Sequence, residues 1–157
     1  MKDKLLEDLR GIPAQVNEVD YRKRGYHLEV LLSAGDVRGF AQCMRDNDLY
    51  LSFVTAVHLA PAMEIVYQFA SHSNPCRIIG RAQVDGDGSI PTISDIFAGA
   101  NWHERETKEM FGVVFSGHPC LVPLILPEDA GELKPLLKAV EKVKTAEQVR
   151  WQAEAGN

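Results

Sequence analysis

Between Asn101 and Gly112 the chain reads NWHERETKEMFG, and no other stretch restricts the fold so strongly. Trp102, His103, Glu104, Arg105, Glu106, Lys108 and Glu109 fall within eight consecutive residues. Asn101 is a good helix N-cap, and Glu104 three residues on approximates a capping box. Gly112 stands where a helix commonly ends on a left-handed glycine. The spacing therefore predicts a helix over 102–111. Trp102, Thr107, Met110 and Phe111 lean toward one side of it. Glu104 with Lys108, and Arg105 with Glu109, stand at the i,i+4 separation of ion pairs. Two readings of this charge density stay open: a solvated face on a core-packed aromatic, or a buried polar network that sets orientation between parts. A short apolar run, Val113-Val114-Phe115, follows, then a tight loop, Ser116 to Pro119, that presents His118 at the surface. Leu126-Pro127-Glu128-Asp129 closes the stretch.

The chain before it reads as a small α+β domain. Leu5, Leu6 and Leu9 among charges predict a short amphipathic helix over 2–10, ended by Gly11 and Pro13. Strands are expected at 14–21, 26–32, 49–59, 63–71 and 76–84. In the third, Leu51, Phe53 and Val57 mark the inward face; in the fourth, Ile65, Tyr67 and Phe69 do. Arg22-Lys23-Arg24-Gly25 reads as a solvated hairpin turn. Val37, Phe40, Ala41 and Met44 at helical spacing predict an amphipathic helix over 36–46. The order α-β-β-α-β-β-β gives a two-layer α+β fold with a mixed five-stranded sheet, its last three strands an antiparallel meander because their loops are short. Leu133, Leu136, Leu137, Val140 and Val143 predict a C-terminal helix over 132–154. The expected organisation is one domain over 1–131, followed by that helix and a frayed tail over 132–157.

With 157 residues, 45% apolar and 25% charged, the chain suits one globular domain with a real core. A net charge of −5 argues against a broad nucleic-acid surface. No apolar run has the length of a membrane span. The charged first ten residues lead to the expectation of no secretory signal or transit peptide. Cys43, Cys76 and Cys120 are dispersed and form no C-x-x-C, so they read as reduced core cysteines of a cytoplasmic protein rather than ligands. No two of the five histidines lie at i,i+4. Glu104 and Glu106 could serve as an acid/base pair, but i,i+2 side chains on a helix diverge. Cys120 beside His118 lacks a third, orienting group.

The residues themselves resemble a known family. Glu104-Arg105-Glu106, Glu109-Met110-Phe111-Gly112, Gly117-His118-Pro119 and Leu126-Pro127-Glu128-Asp129 are similar to the signature of the complex I 30 kDa subunit family. That family serves NADH–quinone oxidoreductases and related membrane-bound, energy-converting hydrogenases. Ile93 to Phe97, Gly99 to Trp102 and Val54 to Val57 resemble it too, so the likeness runs from about residue 50 to about 138. Three positions depart from the pattern. Val122 stands where an Arg is usual, and Glu109 where Asp is frequent. After Lys138, Ala139-Val140-Glu141 replaces an Asp-Tyr-Pro continuation, which leaves the hydrogenase-type relatives open.

The resemblance implies a non-catalytic accessory subunit of the hydrophilic arm. It implies no cofactor on this chain, iron–sulfur clusters on neighbouring subunits, and contact with a large hydrogenase-like subunit and a small cluster-binding one. It also implies a cytoplasmic location, with the membrane reached only through the complex. The residues expected to dock are Trp102, Glu104, Arg105, Glu106, Phe111, Gly117, His118 and Pro119. Trp102 and Phe111 would be anchors, and Arg105 a planar fork for a partner carboxylate. The alternatives are a free-standing enzyme using Glu104, Glu106 and His118, and a stand-alone interaction module.

Overall fold

A computed structural model describes residues 2–149. Helix α1 (Lys2–Leu9) sends Leu5 and Leu9 into the core. Strand β1 (Gln15–Glu18) leads to a single helical turn, α2 (Tyr21–Arg24), where the sequence suggests a plain hairpin turn. The Asp20 side chain caps this turn by accepting from the Arg22 amide at 2.9 Å, and Gly25 ends it at φ 77°. Strand β2 (Leu28–Leu32), helix α3 (Val37–Asp46) and strand β3 (Leu49–Val57) follow. The chain continues through the short β4 (Leu59–Ala60), then β5 (Glu64–Ser71), β6 (Arg77–Gln83) and β7 (Ser89–Pro91). Helix α4 (Ala100–Phe111), β8 (Val114–Ser116) and β9 (Lys144–Thr145) complete it.

The principal sheet has five strands in the order β1-β2-β6-β5-β3. It is mixed: β2 and β6 run parallel, and the other neighbours are antiparallel. The chain thus has the expected α+β fold, and β3, β5 and β6 form the expected meander. One sheet face carries Leu28, Val30, Ile65, Tyr67, Phe69, Ile78 and Ala82 into a core with Leu5 and Leu9 of α1, Phe40 and Met44 of α3, and Ala100 of α4. Two layers bury one another's apolar faces, the usual requirement of such a domain.

The alternation expected in β3 is corrected by a bulge between Leu51 and Phe53. Beyond it the pleat inverts, so Val54 and Ala56 are buried while Phe53 and Val57 are only half-buried. The helix expected at 132–154 is absent over 132–143. That segment holds one short 3₁₀ turn, Val140–Lys142, and otherwise irregular chain, and Leu133, Leu136, Leu137 and Val140 are exposed. An apolar stripe at helical spacing makes a stable helix only when something covers it. Strand β9 then pairs in parallel with β4, helical residues begin at Ala146, and the rest of the expected helix lies outside the described residues.

Helix α3 places the start of the next region. Arg38 donates to the Thr92 carbonyl and forms a two-pronged ion pair with Asp95, each contact 2.7 Å. Arg45 donates to the Ile96 carbonyl, also at 2.7 Å. These bonds fix residues 92–96, and α4 begins four residues later.

Candidate docking site

Helix α4 starts at Ala100, one residue before the expected N-cap. Asn101 lies inside the helix, and Gly99 flanks it without a side-chain cap. Gly112 closes it as expected, at φ 85°, with its amide on the Lys108 carbonyl. Ala100, Glu104 and Thr107 face the core at i,i+4,i+7. The expected capping box is therefore not made.

Glu104 instead points inward, and its side chain is 0% exposed. One carboxyl oxygen accepts from the Ile93 amide at 2.8 Å, and the other is bonded to the Thr92 hydroxyl. Burial pushes this carboxyl up to about 7, against the pull of those two donors. The His118 imidazole is equally enclosed, which corrects the expectation that its loop presents it outward. Its Nδ1 accepts from the Cys120 amide at 3.0 Å, so Nε2 carries the proton and faces the Asn101 carbonyl at 3.3 Å. Glu104 Oε2 lies 3.9 Å from that Nε2.

The outward side of α4 makes a different set of bonds. The expected Glu104–Lys108 and Arg105–Glu109 bridges are replaced by contacts to the following chain. Arg105 donates to the carbonyls of Val122 and Pro123 at 3.0 and 2.8 Å. Lys108 donates to the Leu121 carbonyl at 2.9 Å. Glu109 accepts from the amides of Leu124, Ile125 and Leu126 at 3.1, 2.8 and 3.0 Å. Those amides, with the nearby Arg105 charge, hold its carboxyl below the ordinary value against the desolvation that would raise it. Residues 121–126 thus form a strap without regular structure, whose backbone partners are three side chains of one helix. The Leu136 amide adds a bond to the Met110 carbonyl at 3.1 Å.

The expected docking residues divide accordingly. Trp102 is 65% exposed, with the Arg105 guanidinium 6.0 Å from its ring centre. Glu106, Gly117 and Pro119 are exposed. Phe111 is half-buried against the core. Glu104 and His118 meet each other beneath the surface, and Glu106 is not with them, so no shared acid/base site of these three exists. His118 Nδ1 is already occupied by an amide, so it does not serve the Cys120 thiol. Thr92 and the strap have no signal in the sequence, and Lys108 and Glu109 bond to backbone rather than to their i,i+4 neighbours. The spacing 105, 108, 109 marks one helical face, but nothing in it reveals that backbone is the partner. Exposed Val122, Ile125, Leu133, Leu136, Leu137 and Val140 lie on the strap and the segment after it. Among the described residues, no group of three or more His, Cys, Asp or Glu side chains is arranged to hold a metal ion, and no helix is long and apolar enough to cross a membrane.

Known proteins share both sequence and fold with this chain. The C subunit of the NADH-quinone oxidoreductase of Roseiflexus sp. (strain RS-1) is 46% identical over 81 residues, which cover 51% of this chain and 46% of that protein. The C subunit of the F(420)H(2) dehydrogenase of Methanosarcina mazei is 39% identical over 80 residues, covering 50% of this chain and 51% of the relative. The chain thus spans about half the length of these curated relatives. A chain of the membrane-bound sulfane sulfur reductase, an archaeal respiratory membrane complex, has the same fold at a TM-score of 0.75. It is 21% identical, with 99% of this chain and 92% of that one covered. Residues 30–146 match the family described as the respiratory-chain NADH dehydrogenase 30 Kd subunit; the chain belongs to that family.

Proposed function

We propose that this chain is a non-catalytic accessory subunit in the hydrophilic arm of a complex I-like oxidoreductase or energy-converting hydrogenase, where it docks and stabilises the large hydrogenase-like subunit. The observation that carries this reading is the set of apolar side chains left in water on α4, the strap and the segment after it: Trp102, Val122, Ile125, Leu133 and Val140. Irregular backbone that exposes this much apolar surface, yet is held by charged side chains from a helix, suits a preformed face awaiting a partner. The strap and α4 also enclose a cleft of about 200 Å³ between Arg105, Lys108, Leu126 and Leu133, room for one partner side chain. On this reading the iron–sulfur clusters reside on the neighbouring subunits, the chain itself holds none, and it reaches the cytoplasmic side of the membrane only through the complex. The relatives are named for different electron donors, so the reading stops at the class of complex.

Co-expression with the large subunit tests it. Trp102→Ala and Ile125→Glu should each weaken co-purification by tenfold or more, because anchors at a docking centre are commonly worth about 2 kcal/mol or above. Both side chains are exposed, so the melting temperature of the isolated chain should hold. Undiminished recovery of the complex with both variants would refute the docking face.

A further inference from the structure

We propose that Glu104 is a positioning residue of the docking face, and that the proton it gains or loses moves the 117–120 turn through the His118 ring, so that partner binding is linked to proton uptake. This rests on the docking reading above. The geometry is a chain of buried groups with one rigid ring in the middle. Glu104 Oε1 keeps the Ile93 amide in either protonation state. Oε2 faces both the Thr92 hydroxyl and, at 3.9 Å, His118 Nε2. Thr92 and Ser94 exchange a hydroxyl bond of 2.8 Å, which can reverse direction and so serve either a carboxyl or a carboxylate.

A neutral Glu104 leaves the Nε2 proton on the Asn101 carbonyl, at a long 3.3 Å. An ionised Glu104 offers that same proton a stronger acceptor 3.9 Å away. The imidazole cannot tilt toward it without moving its other end, because Nδ1 holds the Cys120 amide. The turn that carries Gly117 and Pro119 therefore moves with the proton. The other charges and dissociable groups that act on Glu104 or share its surroundings are few. Asp95 pushes its carboxyl up and Arg38 pulls it down, while these two are paired with each other. The Tyr67 hydroxyl, on β5, is buried without a hydrogen-bond partner among the described residues and feels the Glu104 charge. With its ordinary range raised to about 7, Glu104 changes state near neutrality. A partner that covers the 117–120 turn displaces bulk water from above this already enclosed carboxyl, which weakens the longer-range solvation of its charge and so favours the neutral form. Docking should take up a proton.

The test follows the side-chain carboxyl carbon of Glu104 and the amides of 117, 118 and 120 by NMR in the full chain from pH 5 to 8.5. In the wild-type chain these signals should share one midpoint. In Glu104→Gln, which keeps an acceptor for the Ile93 amide, the three amides should lose that component. Amides that stay still in the wild type, or that titrate equally in Glu104→Gln because His118 itself takes the proton, would overturn the proposal. These outcomes need no partner, so they stand apart from any failure of the docking reading. With the large subunit added, wild-type affinity should fall by up to about tenfold per pH unit above neutrality, and Glu104→Gln affinity should be flat. Parallel curves for the two proteins would overturn the linkage even where both bind.

Discussion

Gly80 illustrates how a single residue sets the spacing of the two layers. It lies on the core face of β6, directly under the Phe40 ring, and a Cβ built there would collide with Phe40 Cε1 and lie 2.8 Å from Cζ. Phe40 cannot retreat freely, since its ring packs edge-on against Phe69 with centroids 5.5 Å apart. Gly80→Ala should therefore destabilise the chain by about 1–3 kcal/mol through overpacking, despite the strand propensity that alanine gains. Urea unfolding measures this directly, and a midpoint equal to the wild type would show that the ring has room to move. Glu104 and His118 belong to the same scale. A glutamate is seldom fully buried and a histidine is usually only partly so, and on that ground alone both would be surface contacts. Both are instead buried with partners supplied by Thr92, Ile93, Asn101 and Cys120.

At the scale of elements, α4 acts as a template for a strap that has no ladder of its own. Arg105, Lys108 and Glu109 serve the backbone of six successive residues, 121–126, carbonyls first and amides after. Glu109 carries half of this, because one carboxylate satisfies three amides. Glu109→Ala should leave the five-stranded sheet intact. It should speed hydrogen exchange of the Leu124, Ile125 and Leu126 amides by about tenfold to a hundredfold, as expected where charge-assisted bonds worth about 1.5–3 kcal/mol are lost locally. Arg105→Lys should loosen the strap less than Arg105→Ala, since an ammonium reaches one carbonyl but not two in a fixed fork. Unchanged exchange in Glu109→Ala would mean that the strap is held by its own side chains. The same element explains the fate of the 132–143 segment. Its apolar spacing is helical, but the Leu136 amide bonds to α4 and its leucines face outward.

For the whole molecule, the raised Glu104 range has a thermodynamic consequence. An ordinary carboxyl ionises near 4.5, and this one near 7 in the folded chain. Between those values the folded state binds the proton and the unfolded state does not. Stability from this group is thus full below about 4.5 and is lost as pH rises through about 7, with a slope of at most about 1.4 kcal/mol per pH unit. The carboxyls held low, Asp95 beside Arg38 and Glu109 under its three amides, act in the opposite sense only at more acid pH. The isolated chain should accordingly melt at a lower temperature at pH 7.5 than at pH 5, and Glu104→Gln should flatten that difference. A wild-type melting temperature that rises across this window would place the ionisation elsewhere.

Much of the architecture was legible in the amino-acid order. The strand positions, α1, α3, the meander and the Gly112 stop follow from periodicities and end signals that act over a few residues. The family signature was legible because its residues keep their order and spacing along the chain. Tertiary structure decided the rest. The bulge at Leu51 and Phe53 inverted half of β3, since one extra residue flips the pleat without changing composition. The partners of Glu104, Arg105 and Glu109 were decided only when the 92–94 and 121–126 segments arrived from a distance, because an i,i+4 neighbour in water competes poorly with preplaced amides and carbonyls. Helical spacing over 132–143 lost for the same kind of reason: periodicity states which side of a helix would be apolar, but only a covering surface makes the helix form.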